Sequence, residues 1–312
     1  MPHSEITVAV AVPTLNAAGC WKEFHAGLRQ QAMPLQQVIV LDSTSTDGTP
    51  ELARAAGYTV VTIPRHEFNH GGTRQVAAEM LPGVDVLVYL TQDAVLQSPD
   101  ALGSLVTPFQ DAAVGAAYGR QLPRPDANAI EAHARLFNYP ETGQVKTLGD
   151  RETMGIKAAF LSNSFAAYRR TALQAVGGFP VDTIVAEDAL VAAKLLMAGW
   201  KTSYVAEATV LHSHPYGVAE EFARYFDTGV YHSREPWLLE TFGGAHGEGK
   251  RFVLSELRYL LHHAPYLVPS ALVRTVAKYA GYHLGRNEAR LDPALRRRLS
   301  LHKRFWDSEA HS

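Results

Sequence analysis

Cysteine is almost absent from this sequence of 312 residues, in which Cys20 is the single example. One thiol excludes an internal disulfide framework and is typical of a chain kept in a reducing cytosol. A large charge of one sign is also lacking. The formal net charge is -2, which argues against a nucleic-acid partner recognised by overall charge. No uncharged apolar run approaches the roughly 20 residues of a spanning helix, and the N-terminus lacks a secretory signal pattern. We therefore expect a cytoplasmic protein with no nucleic-acid partner.

Two further absences narrow the class of protein. No Gly-x-Gly-x-x-Gly motif follows the first predicted strand, which excludes the dinucleotide-binding fingerprint of a Rossmann dehydrogenase. No internal repeat or low-complexity segment interrupts the chain. What is present is an ordinary globular composition, with 46% hydrophobic and 19% charged residues. A chain of this length is expected to form one large domain, or one domain with an appendage.

The first part of the chain alternates between short apolar runs and amphipathic stretches. Four apolar runs are typical of buried strands and lie at residues 6–12, 37–41, 59–63 and 86–90. The intervening helical patterns lie at residues 20–31, 50–56 and 70–80. This alternation predicts an α/β fold in which helices cover both faces of a mostly parallel sheet.

The pattern is less regular further along the chain. Residues 121–151 contain scattered prolines and predict a loop-rich excursion. The predicted elements around this excursion are a helix at 101–109, strands at 114–118 and 158–168, a helix at 187–197 and short strands at 202–205 and 208–211. Strand signals then disappear, so we place a boundary near residue 217. The prediction is a catalytic α/β domain at 1–216 and a helical C-terminal region at 217–312.

Polar side chains stand just beyond three of the predicted strands. Asn16 follows the first strand, Asp42 the second and Asp93 the fourth. Open α/β sheets bind ligands beyond the carboxyl ends of their strands. Asp93 is well placed there to hold a hard cation that clamps phosphate oxygens, and Asp42 to accept hydrogen bonds from a base or ribose. The alternative is that such residues only shape turns.

A series of short motifs resembles the nucleotide-sugar domain of the family 2 inverting glycosyltransferases, whose fold is called GT-A. In chain order these motifs are Pro13-Thr14-Leu15-Asn16, Asp42-Ser43, Thr46-Asp47-Gly48-Thr49, Gln92-Asp93, Gly177-Gly178-Phe179 and Glu187-Asp188. A narrower set resembles the bacterial rhamnosyltransferases of that family: Phe68-Asn69-His70-Gly71-Gly72-Thr73-Arg74, Thr91-Gln92-Asp93-Ala94 and His212-Ser213-His214. Their shared order and spacing carry the resemblance, which covers roughly the first two-thirds of the chain.

The resemblance implies that Asp188 is the catalytic base. Glycosyl transfer with inversion requires a carboxylate that takes the proton of the attacking acceptor hydroxyl. Glu187 stands beside it and is predicted to contact the acceptor. The alternative for both acids is that they only complement the dipole of the helix that begins there.

The resemblance also implies a divalent cation, Mg²⁺ or Mn²⁺, that stabilises the leaving diphosphate. Asp93 is the predicted ligand, with His214 as the second and His212 as a less favoured candidate. The family's usual metal motif is Asp-x-Asp, and Thr91 replaces its first acid here. This departure weakens the case for a tightly held metal without removing it.

The remaining site residues come from the same resemblance. His70, Gly71 and Arg74 lie at a helix start, where backbone N–H groups and a guanidinium favour the donor's phosphates; the alternative is a glycine turn with a solvated arginine. Asn163 is predicted to line the acceptor pocket, or else to satisfy the sheet. The predicted donor-binding set is Pro13, Thr14, Asn16, Asp42, Ser43, His70, Gly71, Arg74, Gln92 and Asp93.

The activity that the resemblance implies is transfer of L-rhamnose from dTDP-L-rhamnose to a glycan or polyprenyl-linked acceptor in bacterial O-antigen or other surface polysaccharide synthesis. One alternative is the same fold with another donor, such as a UDP-hexose. Another is a nucleotide-sugar-binding protein without turnover. The presence of both Asp93 and Asp188 argues against this last alternative, because a site without turnover has no need of the base.

The C-terminal third mixes basic and aromatic residues at helical spacing. Residues 252–261 and 268–284 predict amphipathic helices, and further basic residues cluster at 296–298 and 303–304. Helices of this kind are suited to peripheral contact with an anionic membrane surface, here the inner face of the plasma membrane. The alternatives are a helical cap packed on the catalytic domain and a homodimer contact.

Overall fold

The computed structural model describes residues 6–244 and 247–309, which form a mixed α/β structure around one nine-stranded sheet. The strands are β1 (Val8–Thr14), β2 (Gln37–Asp42), β3 (Thr59–Thr62), β4 (Val86–Leu90), β5 (Val95–Leu96), β6 (Val114–Leu122), β7 (Gln144–Lys146), β8 (Phe165–Arg169) and β9 (Lys201–Leu211). The strand order is β3-β2-β1-β4-β8-β6-β9-β5, and β7 pairs with β9.

Fourteen α-helices within those residues accompany the sheet. They are α1 (Ala18–Arg29), α2 (Thr49–Ala55), α3 (His70–Met80), α4 (Ala101–Val106), α5 (Ala129–Asn138), α6 (Arg151–Met154), α7 (Arg170–Ala175), α8 (Glu187–Met197), α9 (Val218–Arg234), α10 (Pro236–Phe242), α11 (Glu248–His263), α12 (Val268–Arg286), α13 (Pro293–Leu299) and α14 (Lys303–Glu309).

The first four strands confirm the predicted parallel unit. β1 pairs in parallel with β2 and β4, and β2 pairs in parallel with β3. Every residue of β4 is buried, as expected of a strand covered on both faces. The register sets Thr14 opposite Asp42, so the ends of β1 and β2 lie side by side. The polar residues beyond these strands therefore share one sheet edge.

The sheet becomes mixed at β8, which runs antiparallel to both β4 and β6. β8 begins at Phe165, so Asn163 lies in the turn before the strand and not in the middle of a strand at 158–168. The predicted strands at 202–205 and 208–211 are one continuous strand, β9. Its register against β6 shifts between Gly119 and Arg120, because three residues of β9 bulge out of the pairing.

The predicted loop at residues 121–151 contains regular structure, which corrects the prediction. Asn128 caps the start of α5, since its side chain accepts hydrogen bonds from the backbone N–H groups of Ile130 and Glu131. Ile130 and His133 are the buried residues of that helix. The prolines that suggested a loop, Pro123, Pro125 and Pro140, lie outside the helix on either side, where proline is tolerated.

The C-terminal helices pack on the α/β part through a shared apolar core. Leu190 of α8 lies in one cluster with Phe226 and Val230 of α9 and with Trp306 of α14. Helices α9 and α12 approach closely at glycines; a Cβ on Gly285 would lie 2.0 Å from the carbonyl oxygen of Phe226. Among the described residues, no helix is both long and apolar enough to cross a bilayer.

Candidate active site

Three side chains that can bind a metal converge beyond the ends of β4 and β9. One carboxylate oxygen of Asp93 lies 3.5 Å from His212 Nε2, and the other lies 3.7 Å from His214 Nε2. One potential ligand atom from each residue lies within 4.8 Å of the others. A carboxylate with two imidazoles suits a transition ion such as Mn²⁺ better than Mg²⁺, which prefers oxygen ligands.

Gln121, in β6, fixes how His212 faces Asp93. Its side-chain oxygen accepts a hydrogen bond from His212 Nδ1 at 2.9 Å, so the lone pair of Nε2 points towards the carboxylate. With a neutral His212, Nε2 and the carboxylate oxygen are two electron-rich atoms that face each other and repel unless a cation lies between them. Burial lowers the pKa of His214 to about 4, so this imidazole is neutral at pH 7. These residues fit a bound divalent cation.

The two acids at the start of α8 are both held by Asn163. The backbone N–H of Asn163 donates to Asp188 Oδ2 at 2.9 Å, and its side-chain amide donates to Glu187 Oε1 at 3.0 Å. Tyr168 donates to Asn163 Oδ1 at 2.7 Å. Ala186, just before the pair, adopts a left-handed conformation with φ 60° and ψ 34°, which costs about 1–3 kcal/mol and is typical of functional turns. The carboxylates therefore have fixed orientations.

The surroundings shift the pKa values of these two acids in opposite directions. Burial opposes ionisation of Glu187, but Arg74 at 2.9 Å, His70 and Asn163 together hold the pKa of Glu187 below its ordinary value. Burial, followed by the negative charge of Glu187, raises the pKa of Asp188. Glu187 is thus an ionised partner of Arg74, whereas Asp188 is made more basic.

A continuous set of polar contacts connects the possible metal ligands with these acids. His212 contacts Asp93 on one side and Gln121 on the other. The side-chain amide of Gln121 donates to Ser162 Oγ at 2.9 Å. Ser162 directly precedes Asn163, whose backbone N–H reaches Asp188. Asp93 and Asp188 therefore belong to one edge of the sheet.

The ends of β1, β2 and β4 are tied together at the same edge. Thr14 Oγ1 and Ser45 Oγ donate to Asp42 Oδ1 at 3.0 and 2.5 Å. Gln92 bridges to β1, because its side-chain oxygen accepts a hydrogen bond from the backbone N–H of Leu15 at 2.7 Å. Asp42 is 1% exposed and is engaged with the protein itself. A contact between Asp42 and a base or ribose stays a prediction.

Three more of the predicted donor residues lie at this edge. Asn16 is exposed, has a left-handed φ of 50°, and accepts a hydrogen bond from the backbone N–H of Thr46 at 2.9 Å. Pro13 is half-buried in β1, and Ser43 is buried directly after β2. Their placement is compatible with a donor pocket between the loops that follow β1 and β2.

The start of α3 has a different environment from the one predicted. Arg74 is 5% exposed and donates to the backbone oxygen of His70 as well as pairing with Glu187. Gly71 lies against the carbonyl oxygen of Pro180, 1.7 Å from where a Cβ would stand. Gly71 and Arg74 are therefore covered by protein, whereas His70 lines an adjoining cavity together with Asn69 and His302. A contact of this helix start with the donor's phosphates stays a prediction.

Sequence reasoning missed or underrated several residues of the site. It ranked His212 below His214 as a metal ligand. The two histidines are two residues apart in the extended segment after β9, so both side chains lie on the same side and reach Asp93. Asn163, predicted either to line the acceptor pocket or to satisfy the sheet, is 2% exposed and positions the two carboxylates. A direct contact of Asn163 with the acceptor stays a prediction. Gln121 carried no sequence signal, because its role depends on long-range pairing of β6 with β9.

Two curated relatives match nearly the whole chain. The O-antigen chain rhamnosyltransferase RfbN of Salmonella typhimurium strain LT2 is 45% identical over 306 residues, covering 98% of both chains. The O-antigen chain rhamnosyltransferase WbaN of Salmonella anatum is 46% identical over 303 residues, covering 96% of both chains.

Solved structures with low sequence identity share the fold. The mannosyltransferase PcManGT from Pyrobaculum calidifontis, in complex with GDP-Man and Mn²⁺, has a TM-score of 0.56 and 22% identity, over 99% of this chain and 87% of that one. S. aureus TarS 1-349 in complex with UDP-GlcNAc has a TM-score of 0.55 and 15% identity, over 91% and 92% of the two chains. A family model described as glycosyltransferase like family 2 matches residues 4–228. The chain described here is therefore a member of glycosyltransferase-like family 2.

Proposed function

We propose that this protein transfers L-rhamnose from dTDP-L-rhamnose to a glycan or polyprenyl-linked acceptor during O-antigen synthesis. The observation that carries the proposal is the 45–46% identity, over nearly the full length, to two O-antigen chain rhamnosyltransferases. The arrangement of Asp93, His212, His214 and Asp188 at one sheet edge supports it, because a transferase needs a leaving-group site and a base close together.

In the proposed reaction, the acceptor hydroxyl attacks the anomeric carbon from the face opposite the nucleotide. Asp188 accepts the hydroxyl proton, and the bond between the anomeric carbon and the diphosphate oxygen breaks to release dTDP. Asn163 and Ala189 keep Asp188 in position through hydrogen bonds from their backbone N–H groups, at 2.9 and 2.8 Å. Direct displacement of this kind inverts the anomeric configuration.

Asp93, His212 and His214 are the residues proposed to hold a divalent cation. When bound, such an ion supplies a Lewis acid for the negative charge that develops on the leaving diphosphate. Gln121 orients His212 for this role. In a calorimetric Mn²⁺ titration, His212→Ala and His214→Ala should each weaken binding at least about tenfold. Binding unchanged from wild type would remove the ligand role, and His262→Ala, an exposed histidine on α11, is the control.

The donor's nucleotide is proposed to lie against the loops after β1 and β2. Pro13, Thr14, Asn16, Asp42 and Ser43 come from these loops. Gln92 and Asp93 follow β4 at the adjoining position of the same edge. The proposed division is therefore a catalytic unit at residues 1–216, with the helical region at 217–312 packed on it.

The α11–α12 hairpin is proposed to contact the inner face of the plasma membrane. Large apolar side chains, each at least 47% exposed, form what we call the hairpin face: Leu254, Leu261, Tyr266, Leu272, Val273, Val276 and Tyr279. Exposed apolar side chains on two helices that contact each other are suited to docking on another surface. A homodimer through the same face is the competing arrangement.

The charges around the hairpin face favour an anionic membrane. Between residues 249 and 290 both acids, Glu256 and Glu288, are buried. The exposed charged side chains of this segment are all basic: Lys250, Arg251, Arg258 and Arg290. Basic side chains beside apolar ones bind anionic lipid surfaces, at about 1 kcal/mol per Lys or Arg. This charge pattern is less suited to pairing with a second copy of itself, because like charges would meet.

The proposed donor is tested by measuring nucleotide release from several nucleotide sugars with an O-antigen-type acceptor present. We expect acceptor-dependent release from dTDP-L-rhamnose and little from UDP-glucose or UDP-GlcNAc. Faster turnover of a UDP-hexose would replace the donor in the proposal. Nucleotide-sugar binding with no release from any donor would favour a binding protein without turnover.

A further inference from the structure

A polar cavity of about 140 Å³ adjoins the loop that carries His214. Helices α5, α9, α11 and α12 enclose it. Besides His214, its ionisable lining residues are Arg135, Arg224, Arg274, Lys278, Glu131, Glu221 and Tyr216 with Tyr225. Four cations and two carboxylates line the cavity. The buried Glu256, which interacts with Lys278 and Arg274, adds a third carboxylate and leaves an excess of one positive charge in a confined space. An excess of this size in a partly buried site favours an anion.

Three of the four cations are already engaged with the protein. Arg274 donates to the carbonyl oxygen of Tyr216. Lys278 Nζ lies 3.4 Å from Glu221, and Arg224 lies 3.8 Å from the same carboxylate. Arg224 also stacks over the Tyr216 ring, at 4.9 Å from its centroid. Glu221 is thus shared between two cations and cannot neutralise both.

Arg135 differs from the other three. Across residues 6–244 and 247–309, its guanidinium has no hydrogen-bond acceptor and no carboxylate within 4 Å. Glu131 lies one helical turn earlier on α5, but it accepts a hydrogen bond from the side chain of Asn128. This half-buried guanidinium therefore keeps its five N–H donors available for a ligand that enters the cavity. Its natural complement is a planar or tetrahedral oxyanion.

We propose that Arg135, assisted by Arg224, binds a phosphate group in the cavity beside His214. A guanidinium can donate two parallel hydrogen bonds to such a group. The source of the phosphate rests on the proposed function. It is either the diphosphate of the nucleotide-sugar donor, next to the possible metal ligands, or the diphosphate of a polyprenyl-linked acceptor. In both cases Arg135 contacts a substrate of the transfer reaction.

The test uses inorganic pyrophosphate and dTDP as calorimetric probes of the full chain, with EDTA present so that a bound cation does not contribute. For Arg135→Gln we expect pyrophosphate affinity to fall at least about tenfold, since hydrogen bonds to charged groups are strong. Arg135→Lys should recover part of the lost affinity, because lysine keeps the positive charge but cannot donate two parallel hydrogen bonds from a planar group. The control is Arg54→Gln, on the exposed face of α2, which should bind as wild type does.

Further readouts separate this role from a structural one and identify the phosphate's source. Because Arg135 makes no hydrogen bond and no close ion pair among the described residues, Arg135→Gln should melt close to the wild-type temperature. A matching loss of dTDP affinity and a higher KM for the donor would assign the site to the donor. A higher KM for the polyprenyl-diphosphate acceptor, with dTDP affinity kept, would assign it to the acceptor.

Unchanged pyrophosphate affinity in both Arg135→Gln and Arg224→Gln would overturn the proposal, and the second variant serves if the first does not fold. Failure of the proposed function is distinguishable. It would appear as wild-type protein that transfers no rhamnose, while pyrophosphate binding still reports on Arg135.

Discussion

Two adjacent carboxylates in this site receive different properties from their neighbours. Glu187 is buried against Arg74 and stays ionised, and its negative charge makes ionisation of Asp188 harder. Asn163 contacts both and fixes their relative position. Two carboxylates in the same helical turn are therefore suited to different roles in the proposed reaction, Glu187 as an electrostatic neighbour and Asp188 as the base.

The raised pKa of Asp188 predicts the acidic side of the pH profile. Asp188 must be ionised to act as base, so kcat/KM should fall on acidification at a pH above the ordinary aspartate pKa of about 3.9. Glu187→Gln removes the negative charge that raises this pKa and should move the fall in kcat/KM to lower pH. The measurement is a pH–rate profile of both proteins, and identical acidic limbs would contradict this account.

Sequence reasoning singled out Asp93 and Asp188 in different ways. Asp93 stood out because it lies just beyond the buried apolar run of β4, whereas Asp188 was assigned by the resemblance of Glu187-Asp188 to the family motif. The pairing of Arg74 with Glu187 was not predictable, because the two residues are distant in the sequence and meet only when α3 packs beside α8. Sequence reasoning therefore interpreted Arg74, at a helix start, as part of an anion-binding site, because no nearby residue in the sequence indicates that Glu187 is its partner.

At the scale of elements, α3 is positioned by close contact with the segment before α8. Asn69 accepts a hydrogen bond from Gly72 N–H and donates from its amide to the carbonyl oxygen of Val181 at 2.8 Å. Gly71 lies against Pro180 with no room for a side chain. The positions of Arg74 and Glu187 therefore depend on this contact between two segments.

Gly71→Ala should destabilise the protein by about 1–3 kcal/mol, because the added methyl group would clash with a backbone oxygen that cannot yield easily. Gly72→Ala is the matched control. Its Cβ would make only ordinary contacts at 3.6 Å, and alanine is the better helix former. Chemical denaturation of both variants checks the prediction. Equal stabilities would show that the contact with Pro180 does not hold α3.

The elements differ in how far local sequence determines them. The parallel strands β1 to β4 have continuous apolar runs bounded by turn residues, so they were predictable. The antiparallel direction of β8 follows from its long-range pairing with β4 and β6, which no local pattern encodes. Helix α5 was missed because the prolines on either side of it outweighed the Asn128 cap in the sequence pattern.

At the scale of the whole molecule, the helical region both completes the core and presents the hairpin face. Phe226 of α9 is fully buried in the core that the helical region shares with α8. Its burial contributes about 1.5–3 kcal/mol to the free energy of unfolding. The outer surface of α11 and α12 remains apolar and exposed. The cavity that contains Arg135 lies under the same helices, so this region bears on substrate contacts as well as on the proposed membrane contact.

The hairpin face predicts binding to anionic vesicles. Wild-type protein should sediment with phosphatidylglycerol-containing vesicles and much less with neutral ones. Val276→Glu, at a side chain that is 67% exposed, should lose most of this binding because a charge replaces apolar contact. Leu52→Glu on α2, at a side chain that is 39% exposed, is the control. A dimer in size-exclusion chromatography that Val276→Glu dissociates, without vesicle binding, would favour the dimer and contradict the membrane contact.

The central claim is that Asp188 deprotonates the acceptor at the same sheet edge where Asp93, His212 and His214 hold the donor through a divalent cation. The most direct measurement is rhamnose transfer by Asp188→Asn at saturating dTDP-L-rhamnose, with dTDP affinity measured in parallel. Loss of a general base should reduce kcat by about 10²–10⁴-fold while dTDP binds as in wild type. Asp100→Asn, at an exposed aspartate before α4, should keep full activity. Wild-type kcat in Asp188→Asn would contradict the account.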